Sequence, residues 1–320
     1  MRMSQEGFLS LGPNGFHRVA YTDWGDPANP HVVVCVHGLS RNSRDFDFLA
    51  AELARDCRVV CMDVVGRGES DWLEEKSGYG FSTYLSDAAA LVARVTKPAP
   101  ARGFAGRWRR RADATRLDWV GTSMGGLIGM LLAAKRGSPL RRLVLNDVGP
   151  FVPWNSLFRL KGGIGRKHAF ASFEEARAWL RDACASFGPL AEEYWDHLAR
   201  HSVRRLEDGS WALRYDPEIG RAWPSQPDPE LPLGPEFLRG VDLWSAWNAV
   251  ECPVLLLRGA DSDVLLERTV EEMRRRKPGL ESIEFAGVGH APALFDAEQI
   301  EAVRDFVLRN DAEARRRATA

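Results

Sequence analysis

The sequence predicts an α/β fold, a mostly parallel, doubly wound sheet interrupted by an inserted, mainly helical cap. Three observations carry this expectation. Runs that are almost wholly β-branched or apolar, such as His31 to Val36, recur along the chain and read as strands buried on both faces. Helical patterns alternate with them at the spacing of βαβ units, which argues for a parallel sheet covered on both sides. From Phe151 the strand-like runs give way to helical patterns, and seven of the eleven tryptophans fall between Trp154 and Trp247. Residues 1–150 and 241–320 are therefore assigned to the core and 151–240 to the cap.

Taken in order, Phe16 to Trp24 reads as a strand ended by Gly25-Asp26-Pro27. His31 to Val36 follows and ends in His37-Gly38-Leu39-Ser40, before a helix from about Asp45 to Arg55. Arg58 to Asp63 is a second buried strand that runs into the glycine turn Gly66 to Ser70. An amphipathic helix spans Ser82 to Val95, with Ser82 as its expected cap. Between Thr96 and Arg116 the composition shifts to Pro, Gly, Ala and Arg, the mark of a surface insertion. Leu117 to Val120 is a strand, Leu127 to Arg136 a helix, and Leu140 to Asn146 a strand closed by Asp147-Val148-Gly149-Pro150.

In the cap, helices are expected at Phe173 to Ala185 and Leu190 to His201. Pro224 to Pro229 forms a stiff connector. The alternation resumes with a strand at Pro253 to Arg258, a helix at Glu267 to Arg276 and a strand at Leu280 to Phe285. The loop Gly287-Val288-Gly289-His290 and a helix from Asp296 to Arg309 complete the pattern.

The 320 residues are 45% hydrophobic and carry a net charge of −1, enough for a sizeable core and no pull toward nucleic acid or an anionic membrane. The basic runs Arg107 to Arg116, Arg274 to Lys277 and Arg315 to Arg317 read as solvated surface. The five cysteines are odd in number, four of them in or beside apolar runs, so they read as small buried hydrophobes in a reducing compartment. The amino terminus lacks the pattern of a secretory signal, no run is long enough to span a membrane, and a cytoplasmic protein is expected. No cofactor is expected.

The chemistry gathers at Gly121-Thr122-Ser123-Met124-Gly125-Gly126. A Gly-x-Ser-x-Gly turn between strand and helix forces its serine into a strained backbone and pushes the hydroxyl out at the carboxyl edge of the sheet. Such a serine is placed to attack a carbonyl, and it needs a base within hydrogen-bond reach.

These residues resemble the α/β-hydrolases over nearly the whole chain. The resemblance rests on Val36-His37-Gly38-Leu39, on Asp63 through Ser70 with its Gly66-Arg67-Gly68 turn, and on the elbow around Ser123. The Asp263 loop and Gly287-Val288-Gly289-His290 complete it. It implies Ser123 as nucleophile and His290 as the base that passes its proton to the leaving group. It also implies Asp263 as the usual acid, with Asp261 in the same loop and Asp147 after an earlier strand as alternatives. The oxyanion donors are expected to be the Met124 and Leu39 amides.

His37 reads as structural. Arg41 and Asn42 could meet a polar or anionic substrate group, although a polar loop capping a helix explains them too. His17 and His31 read as ordinary surface or strand residues. His197 and His201 have the i, i+4 spacing of a metal pair, but no carboxylate pattern lies beside them, so no metal is expected. Gly66-Arg67-Gly68 lacks the third glycine of a dinucleotide fingerprint, and Lys161 to Lys167 reads as a flexible cap loop.

The expected activity is hydrolysis of small to medium, partly apolar carboxylic esters, with some cap tryptophans facing the cleft. The resemblance also admits carbon–carbon hydrolases, lactonases and serine haloperoxidases. From another class it admits a binding protein that keeps the pocket without turnover. The serine argues against relatives that attack with aspartate.

Overall fold

Alternation along each strand decides which layer covers it. The computed structural model describes residues 3–96, 115–164, 169–222 and 240–310. The insertion after Thr96, the connector from Pro224 to Pro229, most of the Lys161 to Lys167 loop and the Arg315 to Arg317 tail lie outside those residues or outside the described side chains.

The first part of the core contains β1 (Met3–Gly12), β2 (Gly15–Trp24), β3 (His31–Val36), α1 (Asp47–Leu53), β4 (Arg58–Met62) and α2 (Phe81–Val95). It continues with β5 (Arg116–Thr122), α3 (Met124–Ala133) and β6 (Leu140–Asn146). The region expected to form the cap holds β7 (Phe151–Pro153), α4 (Trp154–Gly163), β8 (Ala169–Phe170), α5 (Phe173–Ala183), α6 (Glu192–Ser202), β9 (Val203–Arg205), β10 (Trp211–Leu213), α7 (Ile219–Ala222) and β11 (Gly240–Asp242). The core resumes with α8 (Trp244–Ala249), β12 (Val254–Gly259), α9 (Glu267–Arg276), β13 (Glu281–Phe285) and α10 (Ala297–Leu308).

Eight strands form one sheet in the order β1-β2-β4-β3-β5-β6-β12-β13. β1 to β2 and β2 to β4 are antiparallel, and every later pairing is parallel. The α/β class and the mostly parallel sheet expected from the sequence are what is found. Successive side chains of β3 divide between two cores. Val32, Val34 and Val36 pack with α2, α3 and α9, whereas Val33 and Cys35 pack with Phe46, α1 and α10. That division is why the run carries no polar face.

Several elements differ from expectation. β1 was not anticipated. It is an edge strand with Leu9 and Leu11 exposed, so it lacks the alternation that marks a half-buried strand. Helix α2 begins one residue before Ser82, and Gly80, not Ser82, occupies the cap position. The cap region is not free of strands. β8, β10 and β9 form a small sheet, and β7 pairs antiparallel with β11, so the chain enters and leaves the region side by side. Strands of two or three residues are too short to leave a periodic signal.

His17 lies in β2 and His31 in β3, as strand residues, and both are buried. Each meets a buried aspartate, His17 with Asp87 at 2.9 Å and His31 with Asp118 at 2.7 Å. All five cysteines are free, with Cys35, Cys57 and Cys61 buried. Among the described residues, no helix is long and apolar enough to cross a membrane.

Candidate active site

The site lies at the carboxyl ends of the parallel strands, where β3, β5, β6, β12 and β13 each hand over to a loop. The sharpest of these is the elbow between β5 and α3. Ser123 sits there at φ 52°, ψ −116°, in backbone space that a side chain rarely occupies. Two glycines permit it. A Cβ on Gly121 would lie 2.3 Å from the Gly125 carbonyl oxygen, and one on Gly125 would lie 1.9 Å from the Val36 oxygen. Trp119 fastens the turn from below, its indole N–H donating to the Gly125 carbonyl at 3.0 Å.

His290 reaches the elbow from the loop after β13. Its Nε2 stands 2.9 Å from Ser123 Oγ, and its Nδ1 stands 2.7 Å from Asp147 Oδ2. Asp147 follows β6, is fully buried, and itself sits at φ 55°. Its carboxylate also accepts from the Gly259 amide at 2.9 Å and from the Ser262 hydroxyl at 2.5 Å. These donors hold the carboxylate in one orientation and satisfy its lone pairs away from water.

Asp263, the expected acid, is elsewhere. Its side chain is 48% exposed and forms a two-pronged ion pair with Arg159 of α4, at 2.7 and 2.6 Å. Asp261 is exposed as well. The β12 loop does face the relay, but it sends Ser262 and the Gly259 amide toward Asp147 rather than a carboxylate toward His290. Of the three aspartates weighed from the sequence, the geometry therefore brings only Asp147 to the histidine.

The remaining expected residues divide. Leu39 and Met124 line the space around Ser123, and neither amide hydrogen-bonds elsewhere among the described residues. Met124 opens α3, so its N–H belongs to the set that a helix leaves without an internal partner. Arg41 lines the cleft, but its guanidinium is engaged with Asp45 at 2.8 and 2.7 Å. Asn42 turns away from the site. Its side chain caps the next turn by accepting from the Arg44 amide, and it donates to the His201 carbonyl at 2.9 Å. No tryptophan lines either cavity beside Ser123 among the described residues. Tyr79, Phe81 and Tyr84 in one cavity, and Phe46, Phe187 and Phe295 in the other, supply the aromatic walls instead.

His197 and His201 do have a carboxylate neighbour. Asp47 of α1 brings an oxygen to them, so that one ligand atom from each of the three lies within 4.8 Å of the others. The contact joins residues 150 positions apart in sequence, which is why spacing missed it. The donors are largely committed, since Arg44 clamps Asp47 and the Arg44 carbonyl sits 2.9 Å from His197 Nε2. Burial, with Arg44 and His197 adding to it, pushes His201 down to about 3. The cluster ties α6 to α1.

Four supporting residues were not recognised in the sequence as parts of the site. Arg67 is completely buried. Its Nε donates to the Leu39 carbonyl at 2.8 Å, its Nη1 donates to Val65 O and Tyr84 Oη, and its charge lies over the Tyr79 and Tyr84 rings. Fixing that carbonyl fixes the loop that presents the Leu39 amide. Asn146 donates to Thr122 Oγ1 and to the Pro292 carbonyl, joining the ends of β5 and β6 to the His290 loop. Ser186 donates to the His290 carbonyl at 2.5 Å. Ser262 is the fourth. For Arg67, Asn146 and Ser262 a polar residue one position from a glycine or an aspartate was the available signal, and Ser186 had none.

His37 carries a structural load. Its Nε2 accepts from the Val64 amide at 3.0 Å, which leaves Nδ1–H to donate to the Gly38 carbonyl at 2.7 Å. Burial pushes its imidazole down to about 4. The folded state therefore holds His37 neutral while the unfolded chain takes up a proton below about 6.5. Stability from this residue is present above pH 6.5 and is lost as the pH falls toward 4. Denaturant titrations of the parent and of His37→Asn should show their stability difference shrinking over that window, by roughly 1.4 kcal/mol per pH unit at most. A constant difference would contradict the assignment.

Two cavities meet at Ser123. One, of about 40 Å³, is lined by Leu39, Tyr79, Phe81, Tyr84, Met124 and further apolar side chains, with no charge among them. The other, of about 140 Å³, is lined by His290, Arg41, Asp45, Arg159 and Ser186 among others.

A serine on a strand–helix elbow, within hydrogen-bond distance of a histidine after the last strand, marks a class of hydrolytic enzyme. The comparisons with known proteins agree. The profile of the Alpha/beta hydrolase family matches residues 33–305, and the chain belongs to that family. It is an enzyme, a hydrolase. A curated relative from Cupriavidus necator, a 3-hydroxybutyrate-oligomer hydrolase, is 41% identical over 304 residues, covering 94% of this chain and 96% of its own. Esterase Rv0045c of Mycobacterium tuberculosis is 26% identical over 260 residues, 79% of this chain and 73% of its own. The crystal structure of an alpha/beta hydrolase from Novosphingobium aromaticivorans superposes with a TM-score of 0.77 at 31% identity, covering 95% of this chain and 98% of the other.

Proposed function

We propose that the protein is a serine carboxylesterase acting on short-chain esters, with Ser123 as nucleophile, His290 as general base and acid, and Asp147 as the carboxylate behind it. The observation that carries this reading is the unbroken relay from Ser123 Oγ through both His290 nitrogens to Asp147. In the first half-reaction Ser123 Oγ bonds to the ester carbonyl carbon as its proton moves to His290 Nε2. The Leu39 and Met124 amides hold the oxyanion. His290 then gives the proton to the departing alkoxide, the ester C–O bond breaks, and an acyl-serine remains. A water deprotonated by His290 releases the acid and restores the serine. Asp147 fixes the tautomer that keeps Nε2 free and stabilises the imidazolium.

The size of the apolar cavity favours a short acyl group. About 40 Å³ holds some three water-sized groups, at roughly 10–15 Å³ each. Oligoesters of short hydroxy acids fit this description, and the 41% identical relative is named for cleaving 3-hydroxybutyrate oligomers. A p-nitrophenyl ester series from acetate to laurate tests the reading. kcat/KM should peak near butyrate and fall beyond it, with a burst of p-nitrophenol when deacylation is slow. Turnover confined to lactones or to vinylogous diketones would move the chemistry to another branch of the family.

A further inference from the structure

The two cavities at Ser123 differ in charge, and His290 tells which half of the substrate each takes. His290 lines the larger cavity and not the smaller one. It must hand its proton to the leaving oxygen, so the leaving alcohol lies on the His290 side and the acyl group enters the apolar cavity. The leaving-group cavity is lined by two arginines, Arg41 and Arg159, against one aspartate, Asp45. Arg41 is matched by Asp45, and Arg159 by Asp263, which is not among the side chains lining the cavity.

We propose that the larger cavity is a carboxylate subsite, and that the substrate is an ester whose alcohol half carries a free carboxylate held by Arg159. This rests on the acyl-enzyme reading above. The two arginines are not equivalent. Arg41 is largely buried with Asp45 in a two-pronged pair, and removing either partner's contact would strand a buried charge. Arg159 is 52% exposed and its partner Asp263 is 48% exposed. An ion pair that open to solvent contributes little net stability, so a substrate carboxylate can replace Asp263 on the Arg159 fork at small cost. Asp263 thereby acts as an internal competitor, occupying the guanidinium until substrate arrives. For an oligoester of a hydroxy acid, this arrangement selects the bond nearest the free carboxyl end and releases the terminal hydroxy acid as the leaving alcohol. The small acyl cavity then favours a dimer over longer chains.

The test compares the 3-hydroxybutyrate dimer with its methyl ester, which has the same scissile bond but no charge. Hydrolysis of p-nitrophenyl butyrate serves as the control for the underlying chemistry. In the parent enzyme kcat/KM should favour the acid over its methyl ester. In Arg159→Gln the acid-to-ester ratio should fall about tenfold to a hundredfold, the range for one hydrogen bond to a charged group, and the loss should appear in KM. In Asp263→Asn the ratio should rise, because the competing carboxylate is gone. Equal rates on acid and methyl ester in the parent, or no change of ratio in Arg159→Gln, would overturn the subsite while leaving the esterase intact. Absence of p-nitrophenyl butyrate turnover would instead overturn the esterase reading itself.

Discussion

Asp147→Asn is expected to lower kcat on p-nitrophenyl butyrate by about 10⁴-fold with KM little changed, the scale seen when a triad carboxylate becomes an amide. The cause is specific. Asp147 Oδ2 accepts a hydrogen bond from His290 Nδ1–H, and an amide nitrogen there would present a donor and turn the imidazole into the tautomer whose Nε2 cannot take the serine proton. The amide would also meet the Gly259 N–H and the Ser262 hydroxyl, both oriented to donate to a carboxylate. Asp263→Asn should stay within about twofold of the parent on the same substrate, because that side chain is an exposed partner of Arg159 with no contact to the histidine. Stopped assays on the two variants, each checked for folding by circular dichroism, decide between them. A large loss at Asp263 with little at Asp147 would transfer the acid to the β12 loop.

Ser123→Ala should cost more, about 10⁶-fold in kcat, leaving only what the oxyanion donors and substrate binding supply. His290→Ala should cost a similar amount, and the double variant little beyond either single one, because the two residues act as a unit. The elbow makes a second, opposite prediction. Ser123 holds φ 52° at an energetic cost that glycine does not pay, so Ser123→Gly should be inactive and yet more stable, by about 1 kcal/mol or more. Equilibrium denaturation measures this. A Ser123→Gly protein less stable than the parent would mean that the elbow is not strained.

The core was legible where a segment is buried on both faces or bounded by turn glycines. β3 and β6 fall where their apolar runs place them, and Asp296 caps α10 by accepting from the Gln299 amide at the expected boundary. The edge strand β1 was not legible because water covers much of it and removes the alternation. For the candidate site, the meeting of Ser123 and His290 could be read because local glycines mark both loops. The acid could not. The carboxylate that reaches His290 depends on how the ends of β6 and β12 lie side by side, and on Asp147 taking a positive φ that aims it inward. Nothing within the Gly259 to Asp263 motif reveals that its polar atoms serve Asp147. Arg67 was hidden for a related reason. Its sequence context is a glycine turn, and only the fold shows its guanidinium holding the Leu39 carbonyl.

The most direct test of the account is to trap the intermediate. Parent protein is mixed with excess p-nitrophenyl butyrate, quenched in acid during the burst, digested and analysed by mass spectrometry. One butyryl group should be found on the peptide that contains Ser123, formed in the parent and absent from Ser123→Ala. Turnover by the parent with no acylated Ser123 peptide, or an acyl group on another residue, would contradict it.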